Sequence, residues 1–129
     1  MNRSTERFKD FCKALNKLKE AMQEEPTEIV IDGTLQRYEF TFELAWKTMK
    51  DYLEYMGIID NLASPRGIIQ KAFQANIIED GETWINMMLD RNSLSHLYDE
   101  NKSRQIYDNI RNEYIKQFEE FKIFGDNNI

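Results

Sequence analysis

Leu35-Gln36-Arg37-Tyr38-Glu39-Phe40-Thr41-Phe42-Glu43-Leu44-Ala45-Trp46-Lys47-Thr48-Met49 is the stretch on which the fold turns. Its larger apolar side chains, Leu35, Tyr38, Phe42, Ala45, Trp46 and Met49, recur at steps of three and four, the spacing of one helix face. The pattern continues through Leu53 and Met56 and stops at Gly57. Upstream, Asp32-Gly33 reads as a turn or cap. The spacing therefore predicts a helix of about 24 residues, roughly 36 Å long. Its aromatic stripe is core rather than a cofactor box. Glu39, Glu43 and Lys47 are left on a polar face, where Glu43 and Lys47 form an i,i+4 pair.

The same period extends in both directions. Phe8, Phe11, Cys12, Leu15, Leu18 and Met22 predict a first amphipathic helix ending near Glu25-Pro26, because a residue before proline is pushed out of the α region. Ile29-Val30-Ile31 reads as a short apolar connection. Downstream, Ser64-Pro65 supplies an N-cap followed by proline at the first helical position. A short helix with Ile68, Ile69, Ala72 and Phe73 as its apolar face follows, and Asn76 suits a left-handed C-cap. Asp80-Gly81 opens a fourth helix with Trp84, Ile85, Met88 and Leu89, running toward His96. After a polar break at Asp99-Glu100-Asn101, a last helix carries Ile106, Ile110, Tyr114, Phe118 and Phe121 and stops at Gly125. The expected architecture over residues 1–129 is a single all-α domain: an antiparallel, up-down bundle of four long helices and one short one.

Composition narrows the function. The chain has 129 residues, 41% of them apolar, enough to bury a core without disulfides or metal staples. Lys and Arg number 17 against 23 Asp and Glu, a net charge of −6 that argues against nonspecific duplex binding but leaves room for a local basic cleft. One cysteine, Cys12, and one histidine, His96, exclude a disulfide framework and an ordinary nitrogen–sulfur metal site within one subunit. Neither GxGxxG nor GxxxxGK[ST] occurs, so no standard phosphate cradle is present, and no EF-hand spacing appears. No apolar run reaches membrane-helix length, and the polar start lacks a signal-peptide core. The expected setting is cytoplasmic, with no metal or cofactor.

The chemistry concentrates in Asp90-Arg91-Asn92-Ser93-Leu94-Ser95-His96-Leu97-Tyr98, which gathers the sole histidine with an arginine, an amide and a tyrosine. Taken alone, a single histidine is a surface or capped imidazole more often than a catalyst. Here Asn92, Ser93 and Ser95 are poor helix formers that interrupt a helix between Met88 and Leu97. Five residues on an ideal helix turn about 140° beyond a full circle, so Arg91 and His96 do not share a face. Either the helix is wound differently there, as at π-bulges, or a second subunit completes the site. Imidazole plus guanidinium suffices to cleave RNA: the first moves a proton near neutral pH, and the second offers a fork of donors to phosphorane oxygens.

Arg91-Asn92-xxx-His96-x-Tyr98 resembles the RX4–6H motif of HEPN domains, in the RX4HXY form of toxins paired with minimal nucleotidyltransferases (MNT). Gln36–Lys47 and the Ser64-Pro65-Arg66 turn are similar to the family of nucleotidyltransferase substrate-binding proteins. The resemblance runs from about Phe8 to Phe121 in the same helix order. It implies a dimeric HEPN ribonuclease toxin of a toxin–antitoxin pair, with His96 as acid/base, Arg91 as phosphate clamp and Asn92 in support. The two motifs would meet in one composite cleft. It further implies an MNT antitoxin that neutralises the toxin by AMPylation of the motif tyrosine, here Tyr98. Two alternatives stay open: a noncatalytic subunit that binds substrate for the nucleotidyltransferase, and a helical adaptor whose polar strip is only a dimer contact.

Overall fold

A computed structural model describes residues 2–58, 64–96 and 99–129. Helix α1 spans Arg3–Met22, α2 Glu28–Tyr55, α3 Pro65–Gln74 and α4 Gly81–Ser93, with a 3-10 turn at Leu94–His96. Helix α5, Glu100–Asn109, passes through a π turn, Ile110–Tyr114, into α6, Ile115–Asn128, as one unbroken rod. Among the described residues there are no strands. The all-helical bundle expected from the hydrophobic period is what forms.

Capping sets most boundaries. Asn2 accepts from the backbone N–H groups of Ser4 and Thr5, and Ser64 from that of Gly67, with Pro65 at the first helical position. Asp80 opens α4 by accepting from Thr83, and Asp99 opens α5 by accepting from Asn101. Asn76 takes φ +61°, the left-handed conformation expected after α3.

Two expected boundaries are corrected. Thr27 caps α2, accepting from the Val30 N–H, so Ile29-Val30-Ile31 and Asp32-Gly33 lie inside a 28-residue helix rather than in a connection and a turn. The cap captures the backbone before Gly33 can break it, and Ile29 is left 84% exposed. Gly125 does not end the last helix, which runs to Asn128. The Phe8 ring lies against the Gly125 Cα, where any Cβ would collide with Phe8 Cε1 and Cζ. This glycine is a point of close packing, not a stop. Phe73, expected on the buried face of α3, is half exposed, while Ile68, Ile69 and Ala72 fill that face.

Helices α1 and α2 run antiparallel. Arg7 near the start of α1 pairs with Asp51 near the end of α2 at 3.2 Å. Arg37 Nη1 donates to the carbonyl of Lys17 at 2.6 Å across the other end of the seam. Burial pushes the Asp51 carboxyl up, and the Arg7, Arg3 and Lys50 charges pull against it. Thr34, Thr41 and Thr48 are fully buried, and each hydroxyl donates to the carbonyl four residues earlier, so no hydroxyl is left unpaired.

The core is an aromatic layer. Trp84 from α4 meets Phe42 of α2 and packs edge-on against Phe118 and Phe121 of α6, and Phe11 of α1 closes the other side on the same two phenylalanines. The π turn makes this layer geometrically possible. Ile106, Ile110, Tyr114 and Phe118 are separated by three steps of four residues, and each step drifts about 40° on an ideal helix, about 120° in all. One i→i+5 turn absorbs an extra residue, worth about 100°, and brings all four back onto one face. All four are buried.

Candidate functional site

Arg91 and Asn92 occupy the last turn of α4, and His96 ends the 3-10 turn that follows. The expected irregular winding of this segment is present, but as a tightening to 3-10 rather than a π-bulge; the π turn lies in the last rod. Ser93 and Ser95 explain the local preference. The Ser93 hydroxyl donates to the carbonyl of Asp90 at 2.8 Å, competing with the α-helical ladder at the point where it gives way.

Arg91 is partly buried against α2. Its Nη2 forms an ion pair with Oε1 of Glu43, whose other oxygen lies 3.5 Å from Lys47 Nζ. Arg91 Nη1 reaches Asn92 Oδ1 at 3.4 Å, while its Nε is buried with no hydrogen-bond partner among the described residues. A partly solvated pair of this kind is worth about 0–1 kcal/mol of stability, so its effect is to aim the guanidinium. His96 is exposed, and among the described residues no hydrogen bond or ion pair joins it to Arg91. Winding at three residues per turn between Leu94 and His96 leaves the two side chains about 160° apart around the axis, wider than on an ideal helix. Tyr98 lies outside the described residues.

Behind Arg91, the end of α4 is fixed to the π turn. Asp90 Oδ2 accepts from the Tyr114 hydroxyl at 2.6 Å and from Asn109 Nδ2 at 3.0 Å. Burial first, and then the hydrogen bond and charge of Asp90, hold the Tyr114 hydroxyl far above the usual tyrosine range, so it stays a donor. Tyr114 stacks on Tyr38 with ring centroids 5.7 Å apart, and the Tyr38 hydroxyl donates to the Met87 carbonyl at 2.7 Å. Burial likewise pushes the Tyr38 hydroxyl up. Three elements, α2, the π turn and α4, thus converge on the turn that carries Arg91.

The sequence spacing brings Arg91, Asn92 and His96 into view but misses Glu43, Asp90, Asn109 and Tyr114. Glu43 shows only as half of an i,i+4 pair. Its reach to Arg91 depends on how α2 and α4 pack, 48 residues apart in the chain.

Comparison with known proteins places the fold. A model of the family described as nucleotidyltransferase substrate binding protein like matches residues 6–124. The chain belongs to this family. Within 86 residues it is 31% identical to a Haemophilus influenzae protein named probable ribonuclease HepT, a match spanning 64% of this chain and 59% of that relative. A crystal structure of a Thermus thermophilus protein superposes with a TM-score of 0.79 at 32% identity, covering 86% of this chain and 94% of that one. A second Haemophilus influenzae structure, described as revealing the fold of a substrate binding domain of a nucleotidyltransferase, shares the fold at TM-score 0.79 and 22% identity, over 89% and 96% of the two chains. The family thus has the HEPN-like helical fold, and its description links it to nucleotidyltransferases. No described helix is long and apolar enough to cross a membrane.

Proposed function

We propose that this chain is the HEPN toxin of a toxin–antitoxin pair, a metal-independent endoribonuclease that works as a homodimer. The observation that carries the reading is the aimed guanidinium of Arg91, held by Glu43 at the end of α4 with the exposed His96 about one and a half turns further on. The likeness to a protein named as a ribonuclease supports it. The wide angle between Arg91 and His96 supports a cleft shared by two copies, each bringing an arginine and a histidine to one phosphate.

In the proposed reaction the 2′-oxygen of the RNA attacks its own phosphorus, and the bond from phosphorus to the 5′-oxygen breaks. One His96 takes the 2′-hydroxyl proton; the other delivers a proton to the leaving 5′-oxygen. Arg91 neutralises charge on the pentacoordinate phosphorus, and Asn92 holds a non-reacting oxygen. The products are a 2′,3′-cyclic phosphate and a free 5′-hydroxyl. A partner MNT would silence the enzyme by moving AMP from ATP onto the Tyr98 oxygen, breaking the α–β phosphoanhydride bond and releasing pyrophosphate, and the added bulk and negative charge would repel the RNA backbone.

His96→Ala is expected to lower the cleavage rate by about 10²–10⁴-fold, and Arg91→Ala by a comparable factor, with helix content unchanged. Cleavage that survives His96→Ala, or that requires magnesium, refutes the mechanism. Incubation with a cognate MNT and ATP should add adenylate mass to the parent protein but not to Tyr98→Phe.

One finding favours the alternative of a noncatalytic substrate-binding subunit: the family whose model the chain matches is described as nucleotidyltransferase substrate binding protein like. On that reading the isolated chain binds nucleotide and leaves RNA uncut.

A further inference from the structure

The seam between α1 and α2 opens on its solvent side into a groove of about 630 Å³. Asp10, Lys13 and Lys17 line one wall, and Gln36, Arg37 and Phe40 the other. Steps of three and four on α1, and of one and three on α2, put these residues on facing stripes. Lys13, Lys17 and Arg37 are all exposed. Among the described residues none of the three lies within ion-pairing distance of a carboxylate, Asp10 included. Arg37 is nonetheless fixed, because its Nη1 is committed to the Lys17 carbonyl, leaving the rest of its donor fork to face outward. Phe40 is 63% exposed beside these cations, whereas Phe8, Phe11, Phe42, Phe118 and Phe121 are buried. In a chain of net charge −6, unneutralised cations flanking a bare aromatic ring make a local anion-attracting field.

The groove shares Gln36 with a second one that leads toward the candidate segment. That second groove, of about 260 Å³, is lined by Asp32, Glu39 and Ser103 as well as Leu94, the last from the Arg91–His96 segment, and among the described residues by no cation. The charge thus reverses there, and Glu28, Asp32, Asp99 and Glu100, with Arg104, line the next groove. Glu28 and Glu100 press close enough that their mutual repulsion raises the Glu28 carboxyl. A polyanion is therefore attracted to the α1–α2 groove and kept to that side by the carboxylates next to it.

We propose that the α1–α2 groove is the strand-holding subsite for single-stranded RNA, with Lys13, Lys17 and Arg37 on backbone phosphates and Phe40 stacked under a base. The inference rests on the ribonuclease reading for what the strand is delivered to. An unpaired strand fits both features at once, since its bases are free to stack on an aromatic face while its phosphates follow the cations. An acidic polypeptide offers the charge, but only its occasional aromatic side chains can stack on Phe40, whereas every base of a strand can.

The test uses the full-length chain carrying His96→Ala, so that RNA is held without being consumed. Its affinity for a labelled oligouridylate of about a dozen nucleotides is measured across a salt series, alone and with poly-glutamate as competitor. Adding Lys13→Gln and Lys17→Gln is expected to weaken binding and to reduce the slope of log K against log salt by about 1.4, twice the single-strand value per phosphate. Arg37 is left in place because it also ties the two helices together. Phe40→Ala is expected to weaken binding by about 5- to 150-fold with little change in slope. Circular dichroism of each variant checks that the helices persist. An unchanged salt slope in the lysine variant overturns the proposal, and so does displacement of the RNA by poly-glutamate at equal charge. If Phe40→Ala changes the sedimentation mass while affinity holds, the ring belongs to a contact between copies, and the stacking role is overturned. The two readings fail separately. Loss of slope in a protein whose parent never cuts RNA supports the groove and refutes the ribonuclease. Cleavage by the parent with an unchanged slope does the reverse.

Discussion

Replacing Tyr114 by Phe removes one oxygen and tests how the end of α4 is held. The Tyr114 ring is buried, and its hydroxyl donates to Asp90 Oδ2 at 2.6 Å, a hydrogen bond to a carboxylate. Such bonds contribute about 1.5–3 kcal/mol. Asp90 keeps a second donor, Asn109 Nδ2 at 3.0 Å, so the carboxylate is not stranded, and the lower part of that range applies, about 1.5–2 kcal/mol. Ring stacking on Tyr38 at 5.7 Å and the apolar contacts survive, so no cavity adds to the loss. For a chain of this length each kcal/mol moves the melting temperature by about 4 °C, giving an expected fall of about 6–8 °C. Urea denaturation of the parent, Tyr114→Phe, Asp90→Asn and the double variant forms a cycle. Its coupling energy should exceed about 0.5 kcal/mol, because the two side chains touch directly. A Tyr114→Phe protein within about 0.5 kcal/mol of the parent, with additive double-variant stability, would refute the claim that this bond anchors the turn carrying Arg91.

Three further outcomes are expected. Gly125→Ala should cost about 1–3 kcal/mol, because the Phe8 ring must move, and Phe8→Leu should recover part of the loss; thermal melts of the single and double variants decide it. Asp80→Ala should cost about 0.5–2 kcal/mol through loss of the α4 cap. The hydrogen bonds from the Thr83 backbone and hydroxyl hold the Asp80 carboxyl below its ordinary value, so its contribution is present above the ordinary carboxylate range and fades as pH falls through the depressed value. The stability gap between parent and Asp80→Asn should therefore shrink between about pH 7 and about pH 3 in urea titrations. Glu43→Gln should lower KM for RNA by removing a carboxylate from the cleft and lower kcat by releasing the Arg91 guanidinium; a variant with both constants unchanged would show that the ion pair neither repels RNA nor aims Arg91.

Most of the architecture is legible because it is written in local periodicity. The stripes on α1 and α2, the Ser64-Pro65 cap and the left-handed Asn76 each rest on residues near one another in sequence, whereas on α4 Leu89, expected on the apolar face, is 48% exposed and Met87 is buried in its stead. The start of α2 is hidden because Gly33 suggests a break, while the Thr27 cap that overrides it lies six residues earlier. Gly125 misleads because a glycine that admits a distant ring looks the same in sequence as one that ends a helix. The π turn does leave a signal: an unbroken run of four-residue steps, Ile106 to Phe118, is one that an ideal helix cannot keep on a single face. In the candidate site, Arg91, Asn92 and His96 stand out by residue type. Their supports do not, because Glu43 and Tyr114 arrive from helices whose packing no local pattern encodes.

The π turn also gives the last rod a spare residue that its surface would not suggest. Arg111, Asn112 and Glu113 are exposed, and Arg111 bonds the Tyr107 hydroxyl and the Met22 carbonyl. Deleting Asn112 or Glu113 removes the residue that the i→i+5 turn absorbs, so the backbone can close as ordinary α-helix while everything downstream keeps its face. Phe118 and Phe121 then stay in the aromatic layer against Trp84 and Phe11. A residue added there instead rotates everything downstream by about 100°. At this turn the rod can lose a residue but cannot gain one.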